Sequence, residues 1–221
     1  MELIVLDGLD GSGKSTQIDL LEQNLRRLGK KVKKISFPDY ANESSALVKL
    51  YLSGAFGNDA YAVNAYAASS FYAVDRYASY KQFWQKDYEQ GTVILAARYT
   101  TSNAIHQMGK LPIEEWDAYL AWLEDYEYGK LGLPRPDVVL FLEMEPEISA
   151  KLISSRYHGD ESKRDIHEKN RKYLLECTKS ARYAGKKLGF QMISCDDGET
   201  PYSIEQIQQK IMECIRKELN L

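Results

Sequence analysis

Residues 1–16 read MELIVLDGLDGSGKST. An apolar run, Leu3–Leu6, precedes GLDGSGKS at 8–15, which fits G-x-x-x-x-G-K-[ST] at every fixed position. Beyond it, Ile18, Leu21, Leu25 and Leu28 recur at helical spacing over residues 14–28, and Gly29 follows as a stop. Strand, glycine-rich turn and helix in that order form the setting in which this pattern cradles phosphate. Gly8, Gly11 and Gly13 admit backbone angles closed to other residues. The backbone N–H groups can then converge on an anion at a helix N-terminus. Lys14 can reach the β- and γ-phosphates of ATP, and the Ser15 hydroxyl can ligate Mg²⁺. Asp10, Ser12 and Thr16 complete the ATP-binding set, and Asp7, at the end of the strand, is a second metal candidate. The motif implies nucleoside triphosphate binding and leaves the phosphoryl acceptor open.

Outward from this segment, apolar runs recur at Val93–Ala96, Val138–Leu142 and Gln191–Ser194, with a weaker one at Val32–Phe37. Uninterrupted runs suit strands of a parallel sheet covered on both faces. Helical patterns lie between them. Residues 112–127 open with Pro112 and set Trp116, Leu120 and Leu123 on one stripe, and 203–219 repeats the pattern with Ile204, Ile207, Ile211 and Ile215. Strands alternating with helices predict βαβ units and an α/β fold with one parallel sheet. No repeat or linker divides the chain, so one domain over 1–221 is expected. The stretch SSRYHGDESKRD at 154–165 is polar, centred on Gly159, and reads as a mobile loop between helices.

Composition narrows the function. With 44% hydrophobic and 28% charged residues, a packed core is expected and disorder is not. The formal net charge of -3 lacks the basic excess of a non-specific nucleic-acid binder, while small anions need only local positive charge. Cys177, Cys195 and Cys214 fit neither a zinc pattern nor a CxxC pair and read as reduced thiols. The four-residue apolar run at the start is too short for a membrane span and lacks the basic segment of a signal peptide. A cytoplasmic location is expected.

Five segments in order carry a more specific signal. They are GLDGSGKSTQ at 8–17, Phe37-Pro38, SFYAVDRYAS at 70–79, RYTTSNAIHQ at 98–107 and RPDVVLFLEMEPE at 135–147. In sequence and spacing the chain resembles thymidylate kinases over nearly its whole length. The resemblance implies a P-loop NTPase fold: three α/β/α layers, a five-stranded parallel sheet and a helical lid. It implies transfer of a phosphoryl group from ATP to dTMP with Mg²⁺, and a homodimer. An aromatic-rich stretch at 61–84, with Tyr61, Tyr66, Phe71, Tyr77, Tyr80, Phe83 and Trp84, offers more apolar surface than one core face needs.

The chemistry of the acceptor site follows from the same likeness. Tyr72 and Arg76 are four apart on a helix and share a face. Tyr72, or its neighbour Phe71, is expected to stack on thymine, and Arg76 to donate to a thymine carbonyl. A surface ion pair of Arg76 with a nearby carboxylate such as Asp75 is the competing reading. Asn103 would meet the base edge from the other side, with donor and acceptor both available. Arg98 emerges from the sheet edge where open α/β folds bind ligands and would hold the acceptor phosphate bidentately. Asp10 would touch the sugar 3′-hydroxyl, and Phe37 and Pro38 would line the pocket. Arg156, Lys163 and Arg164 are lid cations that could stabilise the transferring phosphoryl group.

The chain departs from the family pattern at several points. Its third strand ends Ala96-Ala97-Arg98 where Asp-Arg is usual, so a carboxylate near the metal is missing and slow turnover is expected; Asp7 could compensate in part. Asp39 and Tyr40 follow Phe-Pro where an arginine is frequent. His106 stands where an aromatic commonly packs under the sugar, and Gly11 stands where some members carry an arginine. Two other functions remain open: a deoxynucleoside kinase using Asp7 as base, and a nucleotide-binding regulator that has lost turnover.

Overall fold

The computed structural model describes residues 1–156 and 170–219, with the backbone alone for Ser154–Arg156. The Arg156 side chain, Lys163, Arg164 and most of the expected lid therefore lie outside the described residues.

Five strands form one parallel sheet: β1 (Leu3–Gly8), β2 (Val32–Ser36), β3 (Val93–Ala97), β4 (Val138–Glu143) and β5 (Gln191–Ser194), in spatial order β2-β3-β1-β4-β5. Each of the five apolar runs became a strand. β1 sits centrally, pairing Leu3 with Ile94 of β3 and Ile4 with Val138 of β4. Alternate side chains go to opposite faces of a strand. Leu3 and Val5 accordingly join Ile94, Ala96, Val139 and Phe141 in one core, while Ile4 and Leu6 join Leu95, Leu140 and Leu142 in another.

Helices cover both faces. On the second face lie α1 (Lys14–Arg27), through Ile18, Leu21 and Leu25, and α9 (Ile204–Leu219), through Ile207, Ile211 and Ile215. α7 (Pro146–Arg156) adds Ile148 there. The first face is covered by α5 (Thr101–His106), α6 (Trp116–Glu124) and α8 (Arg171–Leu188). α2 (Ala46–Leu52), α3 (Ala65–Ser79) and α4 (Gln85–Glu89) complete the α-helices among the described residues. The result is the expected three-layer α/β/α arrangement. Gly29, at φ 80°, ends α1 as anticipated, and its N–H bonds to Arg26 O.

The stretch 112–127 is not one α-helix. Pro112 is extended, Ile113–Glu115 forms a single 3₁₀ turn, α6 follows, and Asp125–Lys130 closes it as a π-helical turn. The apolar stripe Trp116, Leu120, Leu123 is nonetheless buried. Cys177 lies in α8, Cys214 in α9, and Cys195 just beyond β5; all three are free thiols. Among the described residues no helix is long and apolar enough to cross a membrane.

Candidate active site

The C-terminal ends of β1, β2 and β3 open onto a cavity of about 660 Å³. Its walls include Asp10, Gly11, Gly13, Lys14, Ser15 and Thr16 from the glycine-rich loop, and Phe37, Pro38, Tyr72, Arg76, Ala97, Arg98, Asn103 and His106 from the acceptor side. The sequence separated these residues by up to about a hundred positions, and the parallel sheet brings them together.

The loop has the shape of an anion cradle. Gly11 and Gly13 adopt φ 80° and 84°, and Gly13 caps α1 without a side-chain hydrogen bond. No acidic residue occupies the first turn of α1, so its positive end faces the cavity uncompensated on that turn. The Lys14 ammonium donates to Leu9 O at 2.7 Å, folded back over the loop, with Asp10 at 3.9 Å. Gly8 and Ser12 pack closely together: a Cβ on Gly8 would fall 2.7 Å from Ser12 Oγ and 2.9 Å from Leu142 O. Ser12 Oγ is buried with no hydrogen-bond partner among the described residues.

Gly11 explains one departure from the family pattern. A Cβ there would stand 2.7 Å from Ser149 O and 2.9 Å from Ile153 Cγ1, both on α7. The helix that leads toward the expected lid is packed directly on the loop, which leaves no room for an arginine at this position.

Arg98 is the electrostatic centre of the site. It is the one non-glycine residue at positive φ, 65°, among the described residues. Such backbone strain costs of order 1–3 kcal/mol and persists only where surrounding contacts impose it. Here Nη2 donates to Asp10 Oδ1 at 2.6 Å, and Nη1 lies 2.9 Å from His106 Nε2 and 3.5 Å from Asp7 Oδ1. A guanidinium only donates, so His106 Nε2 accepts. Burial alone would lower the Arg98 pKa; Asp10 and then Asp7 more than reverse this, and it is raised.

Asp7 is fully buried and is not among the residues lining the cavity. It receives Gly8 N–H at 2.8 Å, Thr101 Oγ1 at 2.9 Å and Ser102 Oγ at 2.6 Å, besides Arg98. Its oxygens are thus committed. In this arrangement Asp7 acts as a buried acceptor that ties β1 to α5 and Arg98. Ser15 fits a Mg²⁺ role: its exposed hydroxyl lies at the start of α1 on the cavity wall, and this ion is usually bound by one or two protein oxygens plus phosphates and water.

Tyr72 lines the cavity, with its ring edge-on to Tyr51 at 6.4 Å. Phe71 packs on Tyr51 and Phe56 and is not among the residues lining the cavity. Phe37, joined to Pro38 by a cis peptide, packs beside Tyr99 at 6.1 Å. Arg76 is 1% exposed and does not pair with Asp75. Its Nε and Nη2 donate to Glu127 Oε2 and Oε1 at 2.7 and 2.5 Å. Burial would depress the Arg76 pKa, but the Glu127 carboxylate outweighs it and the pKa is raised. Asp75 accepts from Asp39 N–H at 2.8 Å and Ser44 Oγ at 2.6 Å, pinning the chain after Phe-Pro.

Glu127 was not among the residues singled out from sequence, nor were Ser102 and Gln107, which also line or support the site. A signal for Glu127 existed. The stripe 116–120–123 extends by four to 127, where a carboxylate occupies a core position and calls for a buried cation.

The chain is similar to known proteins over most of its length. The profile of the family described as thymidylate kinase matches residues 6–188. The thymidylate kinase of Mycobacterium tuberculosis is 30% identical over 172 residues, covering 76% of this chain and 78% of that one. The thymidylate kinase of Schizosaccharomyces pombe is 26% identical over 215 residues, covering 96% and 90%. The solved structure of the thymidylate kinase from Candida albicans superposes with a TM-score of 0.72 over 99% of this chain and 92% of that one, at 22% identity, and supports the P-loop NTPase fold. With the glycine-rich loop, Arg98 and the Arg76–Asn103 wall gathered around one cavity, the chain belongs to the thymidylate kinase family.

Proposed function

We propose that the chain transfers the γ-phosphoryl group of ATP to dTMP, releasing ADP and dTDP. A non-bridging oxygen of the dTMP phosphate attacks Pγ, and the bond from Pγ to the β,γ-bridging oxygen breaks with its electrons leaving on ADP. A phosphate acceptor is already nucleophilic near neutral pH, so no base is required. The observation that carries the reading is the single cavity shared by the loop and by Arg98, Tyr72, Arg76 and Asn103.

Catalysis then rests on positioning and charge. The loop N–H groups and Lys14 hold the ATP phosphates, with Gly8, Gly11, Ser12, Gly13 and Thr16 shaping the nest. Ser15 would hold Mg²⁺, which would supply neutralisation of the charge that develops on the phosphates. Arg98 leaves Asp10 for the acceptor phosphate, and Asp10 is freed for the 3′-hydroxyl. Phe37, Pro38 and His106 wall the sugar and base, and Tyr72 stacks on thymine. Asp7 acts at one remove, by fixing Ser102, Thr101 and Arg98 beneath the acceptor. Because α7 leaves no space for a side chain at position 11, the cation on the transferring phosphoryl group falls to Arg156, Lys163 or Arg164, whose side chains lie outside the described residues.

We read the chain as a single domain, supported by its one continuous sheet. We also read it as a cytoplasmic homodimer. Tyr61, Tyr66, Tyr77 and Phe83 are each between 36% and 44% exposed, which supports a covered face in solution. The function is tested by offering ATP with dTMP or thymidine. Phosphorylation of dTMP and not thymidine is expected; the reverse would make it a nucleoside kinase.

A further inference from the structure

Glu127 is 0% exposed, in the π-helical turn after α6. Three hydrogen bonds converge on it. Oε2 accepts from Arg76 Nε at 2.7 Å, and Oε1 accepts from Arg76 Nη2 at 2.5 Å and from Asn103 Nδ2 at 2.9 Å. Asn103 Nδ2 also donates to Ser69 O at 3.3 Å. Both amide protons of Asn103 are therefore committed, to a carboxylate and a carbonyl that can only accept. The amide cannot be turned round without facing two acceptors with its oxygen. Asn103 and Arg76 both line the cavity. What Asn103 has left for it is Oδ1, an acceptor, while Arg76 has only donors.

We propose that Glu127 is the positioning residue that sets base selectivity in this site. By fixing the Asn103 amide and the Arg76 guanidinium together, it presents an acceptor and a donor side by side. That pair complements a pyrimidine with N3–H beside a C4 carbonyl. Cytosine reverses both groups, with an unprotonated N3 and a C4 amine, and would leave buried polar atoms facing their like. The inference rests on the reading that the cavity takes a pyrimidine monophosphate, and it names how thymine or uracil is told from cytosine. Glu127 itself contacts no substrate and works through its two partners.

Glu127→Gln is the test, because the amide keeps the shape but turns one acceptor into a donor. Its nitrogen can donate to Asn103 Oδ1 and so release the Asn103 amide to turn. The kcat/KM ratio of dTMP to dCMP is expected to fall about tenfold or more, with KM for dTMP raised and KM for ATP held within about twofold. An unchanged ratio, with both substrates slowed equally, would mean that Glu127 only supports the fold and would overturn the proposal. If wild type itself does not phosphorylate dTMP, the functional reading fails. The proposal is then read from dTMP and dCMP affinities by calorimetry, where the wild-type preference must shrink in the variant. If the variant does not fold, side-chain amide exchange of Asn103 in wild type decides. Slow exchange of both protons supports the proposal, and fast exchange of either contradicts it.

Discussion

Gly11→Ala tests whether α7 presses on the phosphate loop. The substitution adds one methyl group at φ 80°, with Ser149 O at 2.7 Å, Ile153 Cγ1 at 2.9 Å and Ser149 C at 3.2 Å. Two penalties combine. An alanine held in the left-handed region costs roughly 1–2 kcal/mol. Overpacking against a backbone carbonyl, which cannot rotate aside, costs typically about 1–3 kcal/mol more. Gly29→Ala supplies the reference, because Gly29 has the same φ, 80°, and nothing within 4 Å of its added Cβ. It should lose only the first, conformational amount. Urea denaturation without nucleotide measures both, and Gly11→Ala should be less stable than Gly29→Ala by about 1–3 kcal/mol. Equal losses in the two variants would refute the packing of α7 on the loop. They would also remove the steric reason given for the absence of a loop arginine.

Three further outcomes are expected, two at the site and one in the surrounding fold. Ala97 lines the cavity beside Arg98, so Ala97→Asp should raise kcat for dTMP by about tenfold to a hundredfold, read by steady-state kinetics; no rise means that another arrangement orders the metal. Arg98→Lys keeps the charge but loses the planar fork that reaches Asp10 and His106, and should lower kcat/KM for dTMP about a hundredfold with KM for ATP little changed. Lys110, which donates to Tyr51 OH and Val63 O, has its pKa pushed down to about 7 by burial. From about pH 7 up to the ordinary lysine range the unfolded chain binds more protons than the folded chain. Stability should therefore rise with pH there, by up to about 1.4 kcal/mol per unit, and Lys110→Met should flatten that slope in urea denaturation at pH 7 to 9.

Periodicity and apolar runs are local properties, and whatever depends on them was legible. The five runs became strands because a doubly covered parallel sheet needs apolar side chains on both faces. α1 and α9 followed their stripes to within a residue or two. The break of 112–127 into a 3₁₀ turn, an α-helix and a π turn was not legible, because the stripe at 116, 120 and 123 fits a continuous helix equally well. In the site, the loop residues could be read from their spacing, and Arg98 and Asn103 from resemblance. Partner identity could not. Arg76 and Glu127 are separated by 51 positions, and only tertiary packing determines that Arg76 takes Glu127 rather than adjacent Asp75. The partners of Asp7 were illegible for the same reason: the hydroxyls of Thr101 and Ser102, more than ninety positions away, both donate to its Oδ2.

The central claim is phosphoryl transfer from ATP to dTMP at this one cavity. The most direct measurement is Mg²⁺-dependent ADP release, coupled to a spectrophotometric readout, with each nucleoside monophosphate offered in turn. dTMP should give the highest kcat/KM, with dTDP formed mole for mole with ADP. ADP release that is independent of any monophosphate, or faster with another monophosphate than with dTMP, would contradict it.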